Sequence, residues 1–382
     1  MRVAMAIAFP DDPLRPSGGV EAVGVSLIAG LAALRGLDVH VVTTDRNCRA
    51  TSVSQWRGAT VHRLAWAGGK VLTHALGPGR RQVQGYIRRL APDVTHAHDV
   101  FGLMVQSMPG PRVFTPHGVI HIDTRLRGGP MAYLRSLAWQ WAETAAWADQ
   151  RHIVAISPHV RDDFRRRVHA DIHVIDNPVA AEFFDIQRNE QPGDIFSAAT
   201  LSQAKNTLGL LEAFALLVAD GYDAHLRLAG GYLRADYHVA VCDFIRTRGL
   251  EQRVTLLGSI PAARVREELS RASVFALASL QESAPMCVAE AMAAGLPVVA
   301  PNIAGLPHMI CDTVSGYLVN PRDKHDIARR LGEVIGDADR RQKMGQAGRD
   351  IARQRFDPAR VAARTRDVYQ QALADYAANG RR

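Results

Sequence analysis

Short apolar runs alternate with helical patterns along most of the chain, and this alternation limits the fold more than any other feature. The runs are VAMAIAF, DVHVVTTD, DVTHAHD, RVFTPHG and HIVAIS in the first half, and DIFSAAT, AHLRLAGG, RVTLLGS, VFALAS and LPVVAPN in the second. Helical patterns such as GVEAVGVSLIAGLAALRG and LGLLEAFALLVADG separate them. Because parallel strands need a crossover between them, the alternation predicts β-α-β units and parallel sheets, that is, an α/β fold.

The chain is long enough for two such sheets. Domains usually hold about 100 to 200 residues, and this chain has 382. Periodicity stops over residues 176–194, where polar residues and Pro gather. We therefore predict one domain over residues 1–185 and a second over 186–356, followed by a helix over 357–382. Doubly wound domains bind ligands where the carboxyl ends of their strands face a cleft.

The charge of the chain favours an anionic partner. The net charge is +8, which suits nucleic acid, a lipid surface or a phosphorylated small molecule. Short basic groups, such as residues 165–167, are scattered and mostly indicate solvated helix faces. No apolar stretch reaches the roughly 18 residues of a membrane span.

The N-terminal run indicates a buried strand, and the cysteines indicate a reducing compartment. The opening MRVAMAIAFP is interpreted as a first buried strand, because no small-residue cleavage site follows its apolar run. The four cysteines lie far apart without a CxxC pair, which argues against disulfides and structural zinc. We predict a cytoplasmic location.

Two glutamates stand eight positions apart in QESAPMCVAEAMAAGLPVVAPNIAG, residues 281–305. Glu282 follows the run VFALAS, and Glu290 opens the pattern EAMAAG, so we expect one acid after a strand and the other at a helix start. A carboxylate is a natural acceptor for paired hydroxyl donors. In the alternative interpretation, Glu290 is a helix N-terminal charge and Glu282 a surface residue.

Other candidate residues carry weaker signals. Gly18 and Gly19 lie between the first strand and a helix, where backbone can approach a ligand, although an ordinary turn is the alternative. The pattern is not GxGxxG, so a nicotinamide cofactor is not indicated. His96 and His98 have the spacing of metal ligands, but no third ligand accompanies them. We predict no metal site and no cofactor.

Five stretches together resemble one family. They are PSGGVEAV, FTPHGV, VAISPHVRDDF with VIDNPV, ATLSQAKNTLGLLEAF, and the two-glutamate segment. In this order and spacing the chain resembles GT-B glycosyltransferases of the large retaining family 4, also called glycosyl transferases group 1. The resemblance is strongest over residues 195–321. It implies two Rossmann-like domains facing a central cleft, with the C-terminal helix returning to the first domain.

The resemblance implies a role for each glutamate. Glu290 would accept the ribose hydroxyls of a nucleoside diphosphate sugar, and Glu282 the hydroxyls of its sugar. Between them, the main chain of Ala284, Pro285 and Met286 at the helix start would turn its available N–H groups toward the diphosphate. Relatives often read E-G-F-G-L where this chain has Glu282 to Met286, and Pro285 removes one donor.

The resemblance also implies cationic and histidine roles. Lys205 would stabilise the departing diphosphate, although a plain surface lysine is the alternative. Thr200 stands where family members usually have Arg, so one cation is replaced by a hydroxyl. His117 resembles the family histidine near the sugar, and Gly18 and Gly19 would approach the sugar-phosphate.

We predict retaining transfer of a hexose from a nucleoside diphosphate sugar to an acceptor hydroxyl, in glycolipid or polysaccharide synthesis and without a metal. The acceptor would be a glycan, a lipid-linked sugar or a small molecule, and no nucleic acid partner is expected. A sugar-nucleotide epimerase or hydrolase and a non-catalytic anion-binding module are alternatives. The base, the sugar and the acceptor stay open.

The segment 125–147 combines arginines with three of the chain's five tryptophans. The tryptophans are Trp139, Trp141 and Trp147, and the arginines are Arg125, Arg127 and Arg135. In one interpretation the tryptophans pack in the core of the first domain. In the other, part of the segment makes peripheral contact with an anionic membrane.

Overall fold

The computed structural model describes residues 1–127, 129 and 131–378, and in this range the chain forms two compact units. The first unit is Met1–Pro178 with the segment that begins at Pro358, and the second is Val179–Asp357. Residues 179–185, which the sequence placed in the first domain, belong to the second unit, where Phe183 and Phe184 enter the core. Residues 379–382 of the predicted C-terminal helix lie outside the described residues, as does the side chain of Arg127.

The first unit is built on eight strands with helices between most of them. Its strands are β1 (Arg2–Ala6), β2 (Asp38–Asp45), β3 (Ser52–Trp56), β4 (Ala59–Ala65), β5 (Val94–His98), β6 (Arg112–Thr115), β7 (His152–Ala155) and β8 (Asp171–Val174). Its helices are α1 (Gly19–Ala32), α2 (Val71–Leu76), α3 (Pro78–Leu90), α4 (Phe101–Met104), α5 (Ile120–Arg127), α6 (Ala132–Ala148) and α7 (Pro158–Arg165).

The strands of this sheet lie in the order β3-β4-β2-β1-β5-β6-β7-β8. All neighbours are parallel except β3 and β4, which form an antiparallel hairpin at one edge. The chain winds in opposite directions from β1, so the switch point lies between β1 and β5. Val3 to Ala6 of β1 are completely buried, as expected for a central parallel strand covered on both faces.

The second unit repeats this plan with six strands. The strands are β9 (Asp194–Ala198), β10 (His225–Ala229), β11 (Val254–Gly258), β12 (Val274–Ala276), β13 (Val298–Pro301) and β14 (Gly316–Val319). The helices are α8 (Thr207–Ala219), α9 (Ala235–Thr247), α10 (Ala262–Arg271), α11 (Met286–Ala293), α12 (Leu306–Met309), α13 (Lys324–Ile335) and α14 (Ala338–Arg355), with a 3₁₀ turn at Ala181–Phe183. The sheet is parallel in the order β11-β10-β9-β12-β13-β14, with its switch point between β9 and β12.

A last helix, α15 (Pro358–Ala378), belongs to the first unit. It packs closely on α1, because a Cβ on Gly30 would lie 2.6 Å from the carbonyl oxygen of Pro358. Tyr369 of α15 is fully buried, and its hydroxyl lies 2.8 Å from His96 Nδ1. The predicted pair of parallel α/β domains and the returning helix are therefore confirmed. None of the helices in the described ranges has the length and hydropathy that a membrane span requires.

Candidate active site

The switch point of the second sheet brings a cation and a carboxylate together. Strands β9 and β12 are neighbours and parallel, so the loops that follow their carboxyl ends lie side by side. Lys205 comes from the first loop and Glu282 from the second. Lys205 Nζ lies 2.6 Å from Glu282 Oε1, and the two side chains are 31% and 8% exposed. The fold thus pairs two predicted site residues that are 77 positions apart in the sequence.

Local backbone structure holds Lys205 in place. Its main-chain N–H donates to Ser202 Oγ at 3.3 Å. Asn206, the next residue, adopts a left-handed conformation with φ 51° and precedes α8. The Asn206 amide donates to the carbonyl oxygen of Pro321 at 2.7 Å, which fixes the entry to the helix. An ammonium has three N–H donors, so Lys205 can bind Glu282 and an anionic ligand together.

Glu290 does not begin a helix, and this expectation was wrong. Helix α11 begins at Met286, with Pro285 as its N-cap residue, and Glu290 lies about one turn further on. Proline favours the helix start because its φ is already fixed and its missing N–H costs nothing there. The helix therefore begins directly after the proline rather than at the acid.

Glu290 lies on a helix that is largely buried. Val288, Ala289 and Ala291 on the same helix are at most 2% exposed. No described residue offers the Glu290 carboxylate a side-chain or main-chain hydrogen bond or an ion pair. Although part of the residue still reaches solvent, burial raises the pKa of Glu290 to about 7. This carboxyl can thus change its ionisation near neutral pH.

The other predicted donor-binding residues of the second unit lie on the same two loops. Thr200 is half-buried in the loop after β9. Ala284, Pro285 and Met286 form the approach to α11, whose first turn receives no side-chain cap from Pro285. Main-chain N–H groups at a helix start that lack a side-chain cap favour the binding of an anion. Pro285 has no N–H and therefore contributes no such donor.

In the first unit, His117 lies at the carboxyl end of the sheet beside a second histidine. His98 Nδ1 is 2.9 Å from His117 Nε2, and the rings stack. The main-chain N–H of His117 donates to Asp99 Oδ1 at 2.6 Å. Burial lowers the pKa of His117, although Asp99 opposes this effect. His117 Nδ1 is buried and has no hydrogen-bond partner among the described residues, so it can serve a ligand.

His96 has a structural role. Its Nε2 lies 2.8 Å from Thr115 Oγ1, and its Nδ1 lies 2.8 Å from the Tyr369 hydroxyl. Complete burial lowers the pKa of His96 to about 3, which keeps the ring neutral. The His-x-His pattern therefore joins the C-terminal helix to the sheet through His96 and supports His117 through His98.

Gly18 and Gly19 form the start of α1, after the loop that follows β1. The Gly18 backbone is extended, with φ −173°, so its conformation does not require glycine. A Cβ on Gly18 would meet no atom within 4 Å. The loop is fixed instead by Glu21, whose carboxylate accepts the Ser17 N–H at 2.7 Å and the Ser17 hydroxyl at 2.8 Å.

Two residues that contact the candidate segments of the first unit are not predicted from the sequence. Asp99 follows strand β5 within the quoted THAHD, but only the structure shows its left-handed φ of 45° and its bond to His117. Glu21 is the third residue of α1 and bonds Ser17, one position before the N-cap Gly18, so its spacing of four differs from the capping-box spacing of three that a sequence search would use. An acid directly after a buried strand was the available signal for Asp99.

Two family models match the chain in tandem. The model described as Glycosyltransferase Family 4 matches residues 17–183, and the model described as Glycosyl transferases group 1 matches residues 179–351. The matched ranges hold Gly18, Gly19 and His117 in the first model, and Thr200, Lys205, Glu282 and Glu290 in the second.

One curated relative and two solved structures illustrate the similarity. A D-inositol 3-phosphate glycosyltransferase of Corynebacterium kroppenstedtii is 36% identical over 131 residues, which is 34% of this chain and 29% of that relative. The match thus spans less than a third of the relative's length. Sucrose-phosphate synthase from Thermosynechococcus elongatus superposes with a TM-score of 0.79 at 18% identity, covering 98% of this chain and 99% of that one. HepE from Anabaena, in complex with UDP-glucose, gives a TM-score of 0.73 at 18% identity, covering 97% and 100%.

At these identities the solved structures establish the fold, and the tandem family models establish the family. The chain belongs to the group 1, family 4 glycosyltransferases, and its two doubly wound units are those of the GT-B fold.

Proposed function

We propose that the chain transfers a hexose from a nucleoside diphosphate sugar to an acceptor hydroxyl, with retention at the anomeric carbon. The Lys205–Glu282 pair at the switch point of the second sheet carries this proposal. A cation beside a carboxylate suits a ligand that joins a diphosphate to a sugar rich in hydroxyl groups. HepE, a protein of the same fold, was solved with UDP-glucose, and this supports the donor class.

The proposed roles follow the chemistry of each group. Lys205 stabilises the negative charge that grows on the diphosphate as the glycosidic bond breaks. Glu282 accepts hydrogen bonds from the sugar hydroxyls, and Glu290 accepts those of the ribose. The Thr200 hydroxyl and the main-chain N–H groups at Ala284 and Met286 complete the phosphate contacts.

The chemical step is proposed as a front-side substitution. The bond from the anomeric carbon to the diphosphate oxygen breaks, and a bond from that carbon to the acceptor oxygen forms on the same face. The acceptor proton passes to the departing diphosphate. The protein contributes orientation and charge stabilisation, and neither a resident metal nor a cofactor is needed.

His117 is proposed to contact the transferred sugar through Nδ1, with Gly18 and Gly19 leaving room for the sugar-phosphate. His98 is its positioning residue, because the 2.9 Å contact fixes the orientation of the His117 ring. Both rings are kept neutral, since burial lowers their pKa values. His117 therefore serves as a neutral hydrogen-bonding group.

The decisive experiment is product analysis with a labelled donor. A thermal-shift screen of nucleotide sugars first identifies the donor, since a bound ligand raises Tm according to its occupancy. The labelled sugar should then appear on an added acceptor with its anomeric configuration retained. Free sugar or an altered nucleotide sugar would indicate a hydrolase or an epimerase, and an unchanged bound donor a binding module.

The acceptor is proposed to be part of a glycolipid or polysaccharide, reached at the inner face of a membrane. The tryptophans of helix α6 support this, because one of them is buried and another is exposed. Trp147 is 3% exposed and belongs to the core, whereas Trp141 is 69% exposed. Tyr133, Leu134 and Leu137 also reach solvent from this helix. Together with Trp141 they form an apolar stripe, which we call the α6 stripe. Arg125 lies over the Tyr133 ring at 5.8 Å and adds positive charge.

We expect salt-sensitive binding to anionic liposomes and little binding to neutral ones. Exposed arginines attract the lipid headgroups only while their charge is unscreened, and aromatic side chains insert at the interface. Cosedimentation at low and high salt measures this. Arg125→Ser and Trp141→Ser should each weaken binding. Leu233→Ser, which changes an equally exposed residue of the second unit, should not. Absence of binding at low salt would favour a soluble acceptor.

A further inference from the structure

We propose that His152, Asp171 and Asp375 form a binding site for a divalent first-row transition metal ion such as Zn²⁺. One ligand atom from each of these residues lies within 4.8 Å of the other two. The site does not depend on the proposed transfer reaction, because none of its residues takes part in it. Its effect would be to fasten the C-terminal helix to the edge of the first sheet.

The fold brings the three residues together at the amino ends of two strands. His152 is the first residue of β7, and Asp171 is the first residue of β8, the edge strand. The two residues are partners in the parallel register. Helix α15 supplies Asp375 from the same side. The candidate active-site histidine His117 lies instead at the carboxyl end of this sheet, so the two places are distinct.

His152 provides a buried nitrogen that points at the carboxylates. Its side chain is 4% exposed, and its Nε2 lies 3.5 Å from Asp375 Oδ2. Its other nitrogen, Nδ1, lies 3.4 Å from His173 Nε2, and the rings stack.

His173 gives the site the arrangement of known metal centres. When His152 Nδ1 donates its hydrogen to His173, the lone pair on His152 Nε2 faces the carboxylates. The lone pair and the carboxylates then repel one another, and a cation bound between them would be coordinated by all three residues. Metal-bound histidines usually donate their second N–H to a neighbouring acceptor, which orients the ring.

The ligand set defines the class of ion. One imidazole nitrogen with two carboxylates suits Zn²⁺ and similar ions, whose bonds measure about 2.0–2.2 Å. The ligand atoms must therefore move closer than they are in the ligand-free chain. Both aspartates can do this, because Asp171 is exposed and the Asp375 side chain is 42% exposed.

The test is a Zn²⁺ titration of the metal-stripped full chain by calorimetry, with Tm measured in parallel. We expect one saturable site per chain and a rise in Tm, because an ion that binds only the folded state stabilises it. Asp171→Asn and Asp375→Asn should each weaken binding by at least about tenfold. Both changes lie at the surface, and circular dichroism checks that the variants fold.

Two controls separate this site from surface binding. Asp367→Asn makes the same charge change on the same helix, where Asp367 pairs with Arg366, and should keep wild-type affinity. Cys242 Sγ lies 3.9 Å from His238 Nε2 on α9, and this pair is tested as a competing zinc-binding place: Cys242→Ser should leave the titration unchanged if Zn²⁺ binds at the proposed site. The proposal is overturned if Zn²⁺ fails to bind, or if both asparagine variants bind as the wild type does.

Discussion

Lys205→Ala is expected to lower turnover by about 10²- to 10³-fold, the usual loss when one group that stabilises transition-state charge is removed. The proposed reason is that the ammonium is used mainly while the diphosphate departs, so donor binding should fall much less than turnover. Steady-state kinetics with the identified donor and acceptor measures both quantities. Near wild-type turnover would contradict the assignment and move the phosphate contact elsewhere.

The structure supplies a control for the stability of this variant. Glu282 is only 8% exposed and loses its partner at 2.6 Å when Lys205 is removed. An unpaired carboxylate in that position costs about 1–3 kcal/mol of stability. Lys205→Ala with Glu282→Gln should therefore recover Tm, whereas its turnover should stay far below that of Glu282→Gln alone, because Glu282 itself has a proposed role in binding the sugar. A mutant whose turnover recovered together with Tm would show that Lys205 acts through folding alone.

Thr200 offers a gain-of-function test of the same idea. Family members usually place Arg where this chain has Thr200, so Thr200→Arg adds a second cation to the loop after β9. In the Lys205→Ala background this change should restore part of the lost turnover, because the new charge meets the same phosphates. Thr200→Lys is the matched comparison, since it adds charge without a planar guanidinium.

Most strands that could be predicted from the sequence are buried along most of their length, although β11 was predicted and is largely not buried. A central parallel strand such as β1 is a continuous apolar run, which makes it visible without structural information. Strand β3 is largely exposed, and β8 is only half-buried, so neither has such a run. The β3–β4 turn is formed by Arg57 and Gly58 with φ of 45° and 86°, without the Asn-Gly pair that usually indicates this hairpin.

The sequence predicts which residues belong to the candidate site but not how they are arranged in space. Nothing in the sequence indicates that Lys205 and Glu282 are neighbours, and their ion pair follows only from the order β9-β12 within the sheet. Sequence order places six elements between their two loops, namely α8, β10, α9, β11, α10 and β12. The observed start of α11 differs from the predicted one because Pro285 is the N-cap and the helix begins at the next residue, Met286. The roles of these residues stay predictions.

At Glu290 we expect the ionised carboxylate to lower the stability of the ligand-free fold and to raise the affinity for the donor. Burial raises its pKa from 4.5 to about 7. A raised carboxyl pKa means that the folded chain holds this proton more tightly than the unfolded chain. The resulting stabilisation is therefore complete below about pH 4.5 and is lost as the pH rises through about 7. Above that pH the ionised carboxylate costs the ligand-free fold up to about 3 kcal/mol.

Glu290→Gln is therefore expected to raise the stability of the ligand-free protein at pH 8 and to change it little at pH 4.5. Urea unfolding at the two pH values measures this. Glu212→Gln, a half-exposed glutamate on α8 that pairs with Lys324, is the control and should show no such gain.

Removing the charge of Glu290 should also weaken donor binding. Glu290→Ala is expected to weaken donor binding by about 1.5–3 kcal/mol, since a charged acceptor of two ribose hydroxyls is lost. Glu290→Gln should show a smaller loss, because its amide oxygen still accepts one hydrogen bond. Calorimetry with the identified donor tests this role. Unchanged affinity in a folded variant would show that Glu290 does not bind the donor. Weaker binding together with higher stability would show that this buried carboxylate is retained for the ribose, at the expense of the fold.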